Sequence, residues 1–354
     1  MKKSNFKTNE FLGQRLLSAR KMQGLTLQGL AEKIDISKQA LNQFEKGQSK
    51  PTEKVLTSLA DALNLSVDYF FIKPELKIGT VEFRQKKTMP AKELDAIKYK
   101  AVSHVEKLCE IEGILGTESN FVNPLGKTGV KNKRDAEKRS LELREAWFSG
   151  FAPVADVTRL LEQNGVKVVE VEAPYYFSGM STLADGIAII VINSDMNAVR
   201  KRLTALHELA HIILTFPKGM AEEDIEDICF YFAAAFLVPE EIIYNELGKK
   251  RNSILLEEAV QFENYYGISV QAFVRRLFNL GIISGSKFNS FKQWLNRSGM
   301  KDEEIGSFWS RETPGRLKEL VFKALSLDII TESKASALLN MPLVQLNDEV
   351  IQIL

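Results

Sequence analysis

His207 and His211, set four residues apart in His207-Glu208-Leu209-Ala210-His211, form the sharpest chemical pattern in the chain. On a helix that spacing puts both imidazoles on one face a turn apart, where both reach one tetrahedral metal ion. Glu208 lies beside them, placed to take a proton from a water that the ion activates. The bland alternative is a pair of hydrogen-bonded core histidines, since Leu206, Leu209, Ile212, Ile213 and Leu214 make the segment apolar nearly all round. Such burial favours the metal, because two imidazoles and a carboxylate in apolar surroundings need partners. Of the 3 His in the chain only His104 lies elsewhere, alone on a long amphipathic stretch, and it reads as structural.

A third protein ligand is then expected to be a downstream carboxylate. The segment from Glu222 offers Glu222, Glu223, Asp224, Glu226 and Asp227 before it turns apolar. Glu226 is favoured, since Cys229 and Ala233 follow it three and seven residues on as a small-residue stripe along which the motif helix could approach. Asp227 and Glu223 are the alternatives. An acidic first turn is also what the helix dipole favours, and that accounts for Glu222 to Asp224 without any metal.

These residues need a scaffold, and the composition bounds it. The chain has 354 residues, 47 Lys plus Arg against 46 Asp plus Glu, and 45% hydrophobic residues, a globular profile with length for two or three domains. Its 2 Cys, Cys109 and Cys229, exclude a disulfide scaffold and fit a reducing cytoplasm. No apolar run approaches the ~20 residues of a membrane span, and the start lacks a signal-peptide core, so neither membrane insertion nor secretion is expected. Residues 1–73 carry 12 Lys/Arg against 7 Asp/Glu, the segment best suited to an anionic polymer.

The elements follow from periodicity and punctuation. From Phe11 to Phe71 short amphipathic helices succeed one another, with Thr26 and Ser37 as N-caps and Gly24 and Gly47 as stops. Pro74–Pro90 reads as a linker with a short strand at Thr80–Phe83. Ala91–Leu115 reads as a long helix with the stripe Leu94, Ile97, Ala101, Val105, Leu108 and Ile111, a spacer or dimerising strut. A second unit is expected from Asp135, with strands at Val166–Val171 and Ile187–Asn193 and helices at Met196–Leu214 and Glu222–Val238. Ile187–Asn193 is the strand on which an extended substrate would add. The segment ETPGRLKELVFKALSLDIITESKASALLNMPLVQL faintly echoes a helix-turn-helix and receives no activity.

RLTALHELAHIIL followed by EDICFYFAAAFLVP resembles the ImmA/IrrE family of zinc metallopeptidases, whose pattern is H-E-x-x-H and then E-x-x-A-N-x-F-A-x-x-L-L-x-P. The resemblance implies an α+β zincin-like domain in which His207, His211 and Glu226 hold Zn²⁺ and Glu208 is the catalytic base of peptide hydrolysis. Cys229 and Phe230 replace the family's Ala and Asn. Tyr231 and Tyr244 are unranked candidates for oxyanion stabilisation. TLQGLA and ISKQALNQFEKGQSKP resemble the helix-turn-helix of XRE/Cro-type repressors, in which Ser37–Lys46 would be the recognition helix. Lys38, Gln39, Asn42 and Gln43 are then the DNA-binding positions, side chains able to read G or A in the major groove. Leu27 stands where that family often has a phosphate-contacting Gln. A helix-turn-helix reused for protein contact is the alternative.

Together these imply a multidomain chain. Residues 1–73 would form an all-α helix-turn-helix DNA-binding domain, 74–134 a linker and amphipathic helix, 135–285 the metallopeptidase domain, and 286–354 a helical extension. The combination resembles XRE-type regulators fused to an ImmA/IrrE peptidase, a family tied to mobile elements, toxin–antitoxin systems and stress responses that acts on repressors. The implied partners are a double-stranded DNA operator and a protein substrate, a repressor or toxin partner or the chain's own segment around Lys77–Pro90, with a homodimer on a palindromic operator. The alternative function is a non-proteolytic transcription factor or antitoxin whose zinc domain senses or binds a partner.

Overall fold

Thr26, Ser37 and Thr52 each hold extended backbone and turn a side-chain oxygen onto an amide N–H at the helix start, Gly29, Ala40 and Val55, at 3.0, 3.1 and 3.4 Å. They start helices α2 (Leu27–Lys33), α3 (Lys38–Glu45) and α4 (Glu53–Leu63), which follow α1 (Thr8–Met22) and precede a 3-10 helix at Val67–Phe71. Leu16, Leu30, Leu41, Leu59 and Phe70 are fully buried at their centre. The structure, a computed structural model, describes residues 8–71, 89–126, 129–147, 150–300 and 305–350. The expected linker strand at Thr80–Phe83, and the self-cleavage segment apart from Met89 and Pro90, lie outside the described residues.

Helix α5 (Ala91–Leu115) has the expected limits, and its whole stripe is buried. It is not a free strut. α1 packs on it from the helix-turn-helix side and α14 (Arg316–Ser326) from the C-terminal side, which leaves no bare apolar stripe for a partner helix. Charged pairs fix both contacts: Arg15 with Glu106, Lys21 with Asp95 at 2.6 Å, and Arg316 with Glu112 at 2.8 Å. α15 (Glu332–Leu339) and α16 (Leu343–Glu349) complete this unit, which joins the described residues up to Glu118 to those from Gly315. By contacts the chain divides after Glu118 and before Gly315.

Ser119–Pro314 forms the second unit. It contains α6 (Lys133–Ala146), α7 (Val157–Gln163), β1 (Lys167–Val171), β2 (Gly179–Ala184), β3 (Ile187–Asn193), α8 (Ala198–Ile213), α9 (Glu222–Leu237), α10 (Glu240–Leu247), α11 (Leu256–Tyr266), α12 (Val270–Asn279) and α13 (Gly285–Ser298). The strands run in the order β1-β3-β2, β1 parallel and β2 antiparallel to β3. β3 thus sits in the middle with both edges paired, and the expectation that a substrate adds to it is overturned. Its apolar run is that of a central strand. β2 is the edge strand on α8's side, joined to β3 by Asp185 and Gly186, whose φ of 51° and 83° make a tight hairpin turn.

Helix α8 is anchored by Arg202, whose side chain is wholly buried. Its guanidinium donates to the Val154, Tyr266 and Gly267 carbonyls and pairs with the equally buried Glu312, while the Phe308 ring covers it at 4.4 Å. Glu312 also accepts the Val157 and Thr158 N–H groups that open α7. Gly267 cannot carry a side chain here, since a Cβ would fall 2.5 Å from Arg202 Nε and its φ is +65°.

Removing one partner of such a pair leaves a dry, unpaired charge. Glu312→Ala should lower the unfolding free energy by about 3–5 kcal/mol in urea titration; a loss below about 1 kcal/mol would show that the pair does not anchor α8. Burial, aided by Lys107, lowers His104 on α5 to about 4 from its ordinary 6.5. The unfolded chain then takes the proton first, so the cost is absent above pH 6.5 and grows as pH falls towards 4. His104→Gln should flatten the fall of the urea midpoint across that window, and an unchanged slope would contradict it.

Candidate functional site

Asn197 opens α8 by accepting the Arg200 N–H at 3.0 Å, and Leu206, Leu209 and Ile213 sink into the core. That orientation directs His207 and His211 together towards α9, with their Nε2 atoms 3.2 Å apart. Glu226, in the second turn of α9, reaches both: Oε1 is 3.1 Å from His211 Nε2 and Oε2 is 3.4 Å from His207 Nε2. The two imidazoles hold the Glu226 carboxyl well below the usual carboxylate range, chiefly through these hydrogen bonds. Among the described residues, this is the group of His, Cys, Asp or Glu side chains able to surround an ion.

The donor set fits zinc. Ligand atoms ~2.0–2.1 Å from one tetrahedral ion stand about 3.3 Å from one another, and the three separations bracket that spacing. His211 Nδ1 lies 3.5 Å from Cys229 Sγ, whereas the buried His207 Nδ1 has no hydrogen-bond partner. The other carboxylates considered are elsewhere. Asp227 is bound to Lys133 at 2.7 Å and to Arg275 at 2.5 Å, and Glu223 is exposed. Phe230, where the resembling family has Asn, is a platform for Arg275, whose guanidinium sits 4.3 Å over the ring.

Glu208 faces the sheet. Its carboxylate accepts the Ser181 hydroxyl at 2.7 Å, and burial, the strongest influence, raises it above the usual range against the lowering effect of His207, His211 and Ser181. A carboxylate whose proton affinity burial raises suits proton shuttling. Gly179 lets β2 come this close, for a Cβ there would lie 2.8 Å from Thr204 Cγ2 and 3.3 Å from Glu208 Cγ. Ser181 is the site residue that the sequence reading missed, on the strand it missed. Tyr231 has Arg276 and Glu137 as electrostatic neighbours, and Tyr244 has Glu240, Glu137 and Arg276.

In the first unit, Lys38, Gln39 and Gln43 are exposed along α3 and Asn42 is half-buried, while Leu41 anchors the opposite face. Arg20 clamps the end of α3 with two bonds to Glu45, at 2.6 and 2.8 Å. Leu27 is half-buried; next to it, Gln28 bonds Glu32 at 2.7 Å.

The family model described as helix-turn-helix matches residues 16–70. An HTH-type transcriptional regulator of Rickettsia prowazekii is 40% identical over 65 residues, 18% of this chain and 50% of that protein, and one of Rickettsia conorii is 38% identical over 18% of this chain and 52% of its own. The chain thus spans about half the length of these two relatives. An HTH-type transcriptional regulator of Bacillus subtilis is 36% identical over 59 residues, 17% of this chain but 86% of that protein. The chain belongs to the XRE-type helix-turn-helix family. Residues 161–278 match the IrrE N-terminal-like domain, a zincin-like peptidase domain, and take in the sheet, α8 and α9. The DNA and peptide complex of Bacillus thuringiensis PlcR aligns with 96% of this chain and 91% of its own at 10% identity, with a TM-score of 0.19, too low to establish a shared fold.

The Ser181–Glu208 bond and the Asp227 pairs are open to a contrast. In chelator-treated protein, Ser181→Ala leaves the buried carboxylate short of a donor and should cost about 1–3 kcal/mol. Asp227→Asn breaks only half-exposed pairs, so about 1 kcal/mol or less is expected in the same urea titration. Equal costs would count against the distinction.

Proposed function

We propose that this chain is a DNA-binding transcriptional regulator of the cytoplasm that carries a working zinc endopeptidase and cleaves a repressor-type protein. The observation that carries the reading is the convergence of His207, His211 and Glu226 within 4.8 Å beside a buried Glu208 that the cluster does not need for binding. A purely structural zinc site has no use for that carboxylate.

His207, His211 and Glu226 would hold the zinc. Bound there, it would polarise the scissile carbonyl and make a water acidic enough to attack at neutral pH. Glu208 accepts the water's proton and passes it to the leaving amine, and the Ser181 hydroxyl keeps its carboxylate oriented. The outer edge of β2, unpaired among the described residues, offers main-chain groups for an extended segment of the substrate, in place of the paired β3. Lys38, Gln39, Asn42 and Gln43 would meet base edges in the major groove, and two chains would read the halves of a palindromic operator.

Glu208→Gln should keep zinc and a DNA site selected from a random pool, yet lose cleavage of a co-expressed partner repressor by more than about a hundredfold. Gln39→Ala with Gln43→Ala should do the reverse, weakening the selected site by about 1–3 kcal/mol per lost base contact while leaving zinc in place. Repression and partner levels unaffected by Glu208→Gln would favour a regulator whose zinc domain binds or senses without cutting.

A further inference from the structure

Helices α11 and α12 share three landmarks with the helix-turn-helix in α2 and α3. A residue in the left-handed region, Gly267 (φ 65°) or Asp35 (φ 55°), is followed two residues on by a serine cap, Ser269 or Ser37, and six residues on by a fully buried core residue, Phe273 or Leu41. In that register Val270 and Val274 stand where α3 carries Lys38 and Asn42. The Val270 and Val274 side is apolar and faces α13, whereas Gln271 and Arg275 stand where α3 carries Gln39 and Gln43.

Between α11, α12 and α13 lies a pocket of about 310 Å³. Ligand pockets run from roughly 300 to 1,000 Å³ and are mostly apolar with a few polar groups that orient the guest. This one is walled by Leu256, Ala259, Val270, Val274, Phe291 and Trp294, the last two rings stacked 5.8 Å apart. Lys287 is the one ionisable side chain among the described residues that line it, with Ser253 and Ser290 beside it. Lys287 stands in the first turn of the 14-residue α13, capped by Ser284, so the helix dipole adds to its positive potential. An apolar wall with one exposed cation among its lining residues complements a molecule with an apolar body and one anionic head.

We propose that this pocket binds a small carboxylate with an apolar body, as the effector site of the regulator. α12 is suited to report occupancy, for it lines the pocket through Val270 and Val274 and, through Arg275, holds Asp227 next to Glu226.

The test is calorimetric titration of the full chain with sodium octanoate and with 1-octanol. Octanoate should bind saturably at one site per chain, about fivefold tighter than octanol, the share of one partly exposed ion pair. Lys287→Met should erase that preference and leave octanol binding unchanged. Ser290→Trp, at the exposed rim, should block both ligands without moving the thermal midpoint. No saturable binding of octanoate, equal affinity for both ligands in the wild type, or an octanoate affinity indifferent to Lys287→Met would overturn the proposal; the last two would mark the pocket as a seat for an apolar side chain of a protein partner.

Discussion

The second unit depends on how closely α8 and α9 cross. Two imidazoles a turn apart on one helix and one carboxylate on the other meet at 3.1 to 3.4 Å, a geometry that neither helix can supply alone. Small residues at the crossing, Cys229 and Ala233 on α9, permit the approach. The cluster is half-buried, so its polar atoms cannot be left to bulk water, and the negative charge held on Glu226 matches an ion of opposite sign.

The surrounding elements serve that crossing. Arg202 pins α8 through a buried pair with Glu312, five residues before the first histidine, and this strap also caps α7. On the other side Gly179 admits β2 to van der Waals distance of α8, which is how a strand residue, Ser181, comes to hold the base. Asp227, next to Glu226, is drawn away by Lys133 and Arg275, so two adjacent carboxylates in one helical turn have separate tasks.

Much of this was legible in the sequence, because it is written in periodicity and spacing. The H-E-x-x-H pattern, the limits of α5, the caps at Thr26 and Ser37, and Glu226 three residues ahead of a small-residue stripe all follow from local rules. β2 was not read, because Gly179-Met180-Ser181-Thr182-Leu183-Ala184 has a single β-branched residue, Thr182, and does not alternate; the Asp185-Gly186 dipeptide before Ile187 was the available signal, and with it β3 would have read as half of a hairpin. The grouping of α5 with α1 and α14 was hidden for another reason. A stripe on a helix shows that something covers it, while which segment does so is decided by tertiary contacts across more than two hundred residues, as in the Arg316–Glu112 pair.

The central claim is that His207, His211 and Glu226 form one zinc site. Elemental analysis of the purified full-length chain, beside His207→Ala and Glu226→Ala and with folding checked by circular dichroism, tests it most directly. The account predicts about one zinc per wild-type chain and little in either variant. A folded wild-type chain without stoichiometric metal, or a Glu226→Ala variant that keeps its full complement, would contradict it.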